Sequence, residues 1–137
     1  MTMIFVASSK TLGVWGASVG ISKSLYKVGL ADDPADAIEA LNEAAVAGAA
    51  DWKQVGAADA GDLDQETLDV RFAAAGILVD PAYYPKLRRA GGIVRVRPET
   101  VENSMLVERA MANESNLDLK IKPADIAAWL IRLAQRS

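Results

Sequence analysis

The 137-residue chain contains no histidine and no cysteine. Without histidine it lacks the commonest general base, and Ser-His-Asp catalysis is excluded. Without cysteine there is no disulfide framework and no thiolate metal site, so most zinc chemistry goes as well. Aromatic residues make up only 6% of the chain, against 51% hydrophobic residues in all. The core must therefore be built largely from small aliphatic side chains, with Ala and Val prominent. No stretch approaches eighteen consecutive apolar residues, so a transmembrane helix and a membrane partner are not expected. The opening MTMIFVASSK has neither the basic segment nor the long apolar run of a signal peptide, and a cytoplasmic protein is the expectation.

What is present fits one domain with a real core. The net charge is −3 and the isoelectric point about 4.9, but the charge is unevenly spread. Residues 31–69 hold eleven acidic side chains and one lysine, whereas residues 70–111 hold seven basic and four acidic ones. One face should repel phosphate and another tolerate it.

Met3–Ser8 and Ser24–Ala31 read as strands, joined by a glycine-bearing, flexible connection over Lys10–Lys23. Gly16–Ser24, GASVGISKS, has glycines and a Lys-Ser pair, as phosphate loops do. Yet Ile21 and Ser22 part Gly20 from Lys23, and a strand follows instead of a helix. Asp33 then caps a helix with Pro34 at its first position, and Ile38, Leu41 and Ala45 mark its inner stripe, with Gly48 as its stop. Trp52–Ala58 is a strand, Asp64 caps a helix from Gln65 to Ala75, and residues 77–90 form a loop with one helical turn. GGIVRVR is a strand. Glu99–Met111 and Pro123–Gln135 are helices, the last with an apolar edge of Ile126, Trp129, Leu130 and Leu133. The expected fold is α+β: a small antiparallel or mixed sheet of three to four strands flanked by helices. Residues 1–111 form the domain, and 112–137 supply a joint (Ala112–Lys122) and a C-terminal amphipathic helix packed on it.

The stretch YKVGLADDPADAIEALN resembles the second half of the GIY-YIG nuclease signature. There a strand ending in a Tyr/Lys-Ile/Val-Gly tripeptide runs through a turn into a helix opened by D-P-x-x-R. Lys27-Val28-Gly29 would be that tripeptide, Asp33-Pro34 the helix start and Met3-Ile4-Phe5 the first tripeptide. Gln65-Glu66-x-Leu68 with Arg71-Phe72 resembles the family's E-x-x-L-H-x-x-F helix, and Gly92–Val96 stands at the later strand. The resemblance covers about Met3 to Arg97. It implies phosphodiester hydrolysis by two tyrosines, a helix arginine and a glutamate holding one divalent metal. The matching positions hold Phe5, Lys27, with Tyr26 beside it, and Ala37. Glu66 or Glu99 would stand for the metal ligand. A site stripped of its fixed cation and its tyrosines is expected to be degenerate, because removing one electrostatic stabiliser costs on the order of a hundred- to a thousand-fold in rate.

Three functions follow. The first is a binding module on a degenerate GIY-YIG-like scaffold, its partner a nucleic acid or a protein. Lys23, Lys27, Arg88, Arg89, Arg95 and Arg97 would supply the clustered cations that phosphate binding needs, and Tyr83 and Tyr84 could stack on bases. The second is a Mg²⁺-dependent nuclease with a rearranged site, using Tyr26, with Arg71, Arg88 or Arg89 as the cation and Glu66 as the metal ligand. The third is a small structural domain that docks a partner or a second copy through the helix edge around Trp129 and Leu133.

Overall fold

Met3–Ser8 forms the first strand, β1, and its alternation organises the molecule. Ile4 and Val6 point to one face of the sheet and Phe5 and Ala7 to the other, and all four are buried. The computed structural model describes residues 2–87, 91–112 and 121–135. Arg88, Arg89 and most of the expected joint at Ala112–Lys122 lie outside the described residues.

Ser9 caps a helix, α1 (Lys10–Ser18), by accepting a hydrogen bond from the Leu12 amide at 3.1 Å. This helix replaces the flexible connection expected over Lys10–Lys23. Its glycines do not loosen the chain; they let it pack. A Cβ on Gly13 would lie 2.8 Å from the Lys23 carbonyl oxygen, and one on Gly16 would collide with the Ser22 carbonyl and the Leu25 side chain. Each glycine weakens a helix by about 1 kcal/mol relative to alanine. Here that cost is offset by laying the helix directly on the returning chain.

The return is β2 (Leu25–Ala31), antiparallel to β1 from Met3↔Ala31 to Ser8↔Tyr26. The two first strands are thus neighbours, as expected, with a helix between them. Asp33 caps α2 (Pro34–Glu43) through the Ala35 and Asp36 amides. This helix stops before Gly48. The Asn42 side chain takes the Trp52 amide at 2.7 Å and gives to the Trp52 carbonyl at 3.0 Å. The turn it staples runs through Ala45 and Ala47, both at positive φ.

β3 (Lys53–Asp59) pairs with the other edge of β1, from Met3↔Asp59 to Ser8↔Lys53. Asp64 caps α3 (Gln65–Ala74) through the Thr67 amide at 2.7 Å. Two single 3-10 turns, at Pro81–Tyr83 and Pro85–Leu87, lead towards β4 (Ile93–Arg95), which pairs with β2. The four-stranded sheet is antiparallel throughout, in the order β3-β1-β2-β4. Helices α4 (Pro98–Met111) and α5 (Pro123–Gln135) complete the described fold.

The sheet divides two cores. On one face Phe5, Ala7, Leu25 and Ile93 meet Leu12 of α1, Ile38 of α2, Trp52 and Leu87. On the other, Ile4, Val6, Tyr26, Val28 and Val94 meet Leu68 and Phe72 of α3, Val101 of α4 and the inner stripe of α5. Trp129 and Leu133, the edge expected to dock a partner, are half-buried against this second core. Tyr84 packs edge-on against Trp15, ring centroids 5.9 Å apart, and anchors its loop, while Tyr83 is exposed. No helix among the described residues is long and apolar enough to cross a membrane.

Two substitutions test this packing. A Cβ on Gly56 would lie 2.7 Å from the Ala127 Cβ, so Gly56→Val pushes α5 off β3 and should cost about 1–3 kcal/mol in urea unfolding. Ala45 sits at φ 47° and ψ 51°, a left-handed conformation that strains a residue with a Cβ. Ala45→Gly should raise stability by roughly 0.5–1 kcal/mol in the same assay.

Candidate functional site

Antiparallel pairing decides which loops share an end of the sheet. β1 finishes where β2 and β3 begin and β4 finishes. Lys10, Lys23, Lys53, Arg95 and Arg97, far apart in sequence, therefore gather at one end. Asp32 and Asp33 follow the far end of β2, and Asp59 closes β3 with Asp62 and Asp64 just beyond it, at the other. The six residues of β1 hold these ends about 17 Å apart. That exceeds the ~10 Å Debye length at 0.1 M salt, so the acidic end barely weakens the basic end's field.

A cleft of about 550 Å³ opens at the basic end. Lys53, Ser8 and Tyr26 stand side by side across β3, β1 and β2 and line it together with Lys10 and Lys23. Its walls are mostly carbon: Val14 and Ala17 of α1, Leu25 of β2, and Pro123 at the start of α5. Tyr26 is only 7% exposed, and its hydroxyl makes no hydrogen bond to any described residue. No fully buried side-chain nitrogen or oxygen lacks a partner among the described residues, so this hydroxyl is not sealed from solvent, and Tyr26 is one of the residues lining the cleft. Burial pushes its pKa up, which keeps the proton on the oxygen and the group a donor.

The first turn of α1 is already neutralised. Asp51 accepts from the Ser9 hydroxyl, from the Thr11 amide at 3.0 Å and from the Thr11 hydroxyl at 3.0 Å. The Ser9 bond is the main reason its carboxyl sits below the usual aspartate range; desolvation opposes it, and the Thr11 bonds add to the lowering. A second groove, about 320 Å³, continues from Lys23 to Arg95 and Arg97, with Glu99 on its wall.

The sequence-derived candidates divide clearly. Lys23, Arg95 and Arg97 come together here. Lys27 does not: it lies on the opposite face from Tyr26, and its ammonium donates to the Gly91 carbonyl. Burial holds the Lys27 pKa below the ordinary lysine value, partly offset by Asp69. Phe5, the position matching the nuclease tyrosine, is buried in the core on the Lys27 face with its ring against Gly29, and Ala37, the position matching the arginine, is half-buried against that core. Glu66 is exposed on the first turn of α3, beyond the acidic end, and Arg71 donates to the Ala134 carbonyl, tying α3 to α5. Tyr26 therefore shares no site with Glu66 or Arg71. Among the described residues no group of three or more acidic side chains converges on a point that could hold a metal ion.

The chain matches no known protein family, no curated protein and no solved structure. Lys10 and Lys53 were not singled out from sequence. The available signal is that Lys53 opens a strand and Lys10 stands two residues past the end of one, which matters only once the strands are known to be antiparallel.

The Asp51 network carries a pH signature. Its folded carboxyl has a depressed pKa, so between the folded and unfolded values the unfolded chain binds more protons. The network's contribution is complete above the ordinary aspartate range and fades as pH falls through the folded value. Asp64, also depressed by its bonds to Thr67, acts in the same window. Melting temperatures from pH 5 down to pH 2 should fall less steeply for Asp51→Asn than for the wild type. Parallel curves would mean that Asp51 does not brace α1.

Proposed function

We propose that this protein is a binding module that holds the phosphate backbone of a nucleic acid at the basic end of its sheet, on a GIY-YIG-like scaffold that has given up phosphodiester cleavage. The observation that carries this reading is the convergence of Lys10, Lys23, Lys53, Arg95 and Arg97 on one end of a chain whose net charge is negative. Clustered cations release condensed counterions when they meet a phosphate backbone, and this term supplies most sequence-independent affinity. The acidic far end gives orientation: only one end of the molecule can approach a polyanion.

Cleavage is set aside for a local reason. Charge on a scissile phosphate needs a fixed cation and an ordered nucleophile in one place. Phe5 and Ala37 offer neither, and the core fills the space around them. Tyr26, Glu66 and Arg71 serve different parts of the molecule.

The test is a fluorescence-anisotropy titration of single- and double-stranded DNA and RNA between about 50 and 200 mM salt. Three or so displaced phosphates should give a log–log slope of about −3, and Arg97→Gln should flatten it by about one. Absence of binding at low salt would remove the nucleic-acid partner. Brisk Mg²⁺-dependent nicking of plasmid DNA that is lost in Glu66→Gln would instead favour the nuclease alternative.

A further inference from the structure

The geometry points to a second, small-molecule role for the cleft beside α1: it receives a phosphate monoester carried on an apolar body. The argument begins with Tyr26. The Tyr26 residue is more than nine-tenths buried, yet its hydroxyl is not sealed from water: a packed ring with a polar tip left free to meet a ligand. This hydroxyl has no protein partner among the described residues, and its residue lines the cleft. Its raised pKa has the same origin in burial and keeps it a neutral donor.

The surroundings define what it would donate to. Lys53 and Ser8 are its neighbours across the strands, and Lys10 and Lys23 stand on the rim. Three ammonium groups and two hydroxyls suit a phosphoryl group, which presents several charged oxygens at once. The Ser9 hydroxyl and the first-turn amides of Thr11 and Leu12 are not available for it, since Asp51 and the cap already use them.

The remaining walls argue against a bare ion. Val14 is 65% exposed, a large apolar side chain left in water at the mouth of the cleft. Ala17, Leu25 and Pro123 extend that carbon surface. A cleft of about 550 Å³ lies within the span of about 300–1,000 Å³ usual for small organic ligands. It is far larger than inorganic phosphate needs. The ligand is therefore amphipathic: phosphate towards the Lys53–Ser8–Tyr26 row, carbon along α1.

This role does not depend on nucleic-acid binding, and a chain indifferent to DNA and RNA can still have it. The experiment titrates the full chain with phenyl phosphate and with inorganic phosphate, followed by amide chemical shifts and calorimetry. Phenyl phosphate should saturate, move the amides of Ser8, Tyr26 and Lys53, and bind at least about ten-fold more tightly than inorganic phosphate. Tyr26→Phe keeps the buried ring and removes only the donor, and it should weaken binding by about ten-fold. Ala17 is exposed on α1, so Ala17→Trp fills the cleft without entering the core and should abolish binding while melting as the wild type does. Equal affinity for the two probes, or an unchanged constant in Tyr26→Phe, would overturn the inference and leave only a charged rim.

Discussion

The double burial of β1 is the constraint on which the rest of the molecule depends. Ile4, Phe5, Val6 and Ala7 are each no more than 3% exposed, and both edges of the strand are paired. Two cores meet on this one strand: α1 and α2 are held through Phe5 and Ala7, and α3, α4 and α5 through Ile4 and Val6. A slip of one residue would exchange the two sets of side chains and ruin both packings at once. Burying each of the larger ones is worth about 1.5–3 kcal/mol, so the register of β2 and β3 against β1 is strongly enforced.

That register is also what builds a functional surface. The five cations of the basic end come from four separate stretches of chain, and none is close to all the others in sequence. Antiparallel pairing with β1 at the centre brings the end of β1 beside the beginnings of β2 and β3, and the end of β4 beside the beginning of β2. The overall charge of −3 conceals a molecule with two electrically distinct ends. The cleft lies where this charged end meets α1, and α1 is held there by Asp51, which the Asn42–Trp52 staple delivers to its first turn. Local hydrogen bonds thus set the shape of the cleft, and the distant strand ends set its charge.

Much of the architecture was legible because its signals are local. Asp33-Pro34 and Asp64 announce helix starts through bonds reaching two or three residues, and both helices begin where these residues stand. Pro123–Gln135 was readable from its apolar spacing. The region between the first two strands was misread because Gly13 and Gly16 have a meaning only in three dimensions. By propensity they weaken a helix; in the structure they are the contact that lets it lie on Ser22 and Lys23. The end of α2 was misplaced for a similar reason, since Asn42 answers to Trp52, ten residues away. Among the candidate site residues, Lys23, Arg95 and Arg97 are legible in sequence as cations but not as neighbours, and Lys27, equally cationic in sequence, is committed to the Gly91 carbonyl.

By itself, the sequence determined the α+β class, most of the strands and helices with their starts, and the exclusion of histidine and thiolate chemistry. Each of these rests on composition or on interactions between residues a turn apart. Only the tertiary structure decided which strand ends lie together, which core each alternating set of β2 side chains serves, and that Tyr26 lines a cleft. Those outcomes depend on pairing and packing between segments tens of residues apart, and no pattern along a single chain specifies which partners such segments will meet.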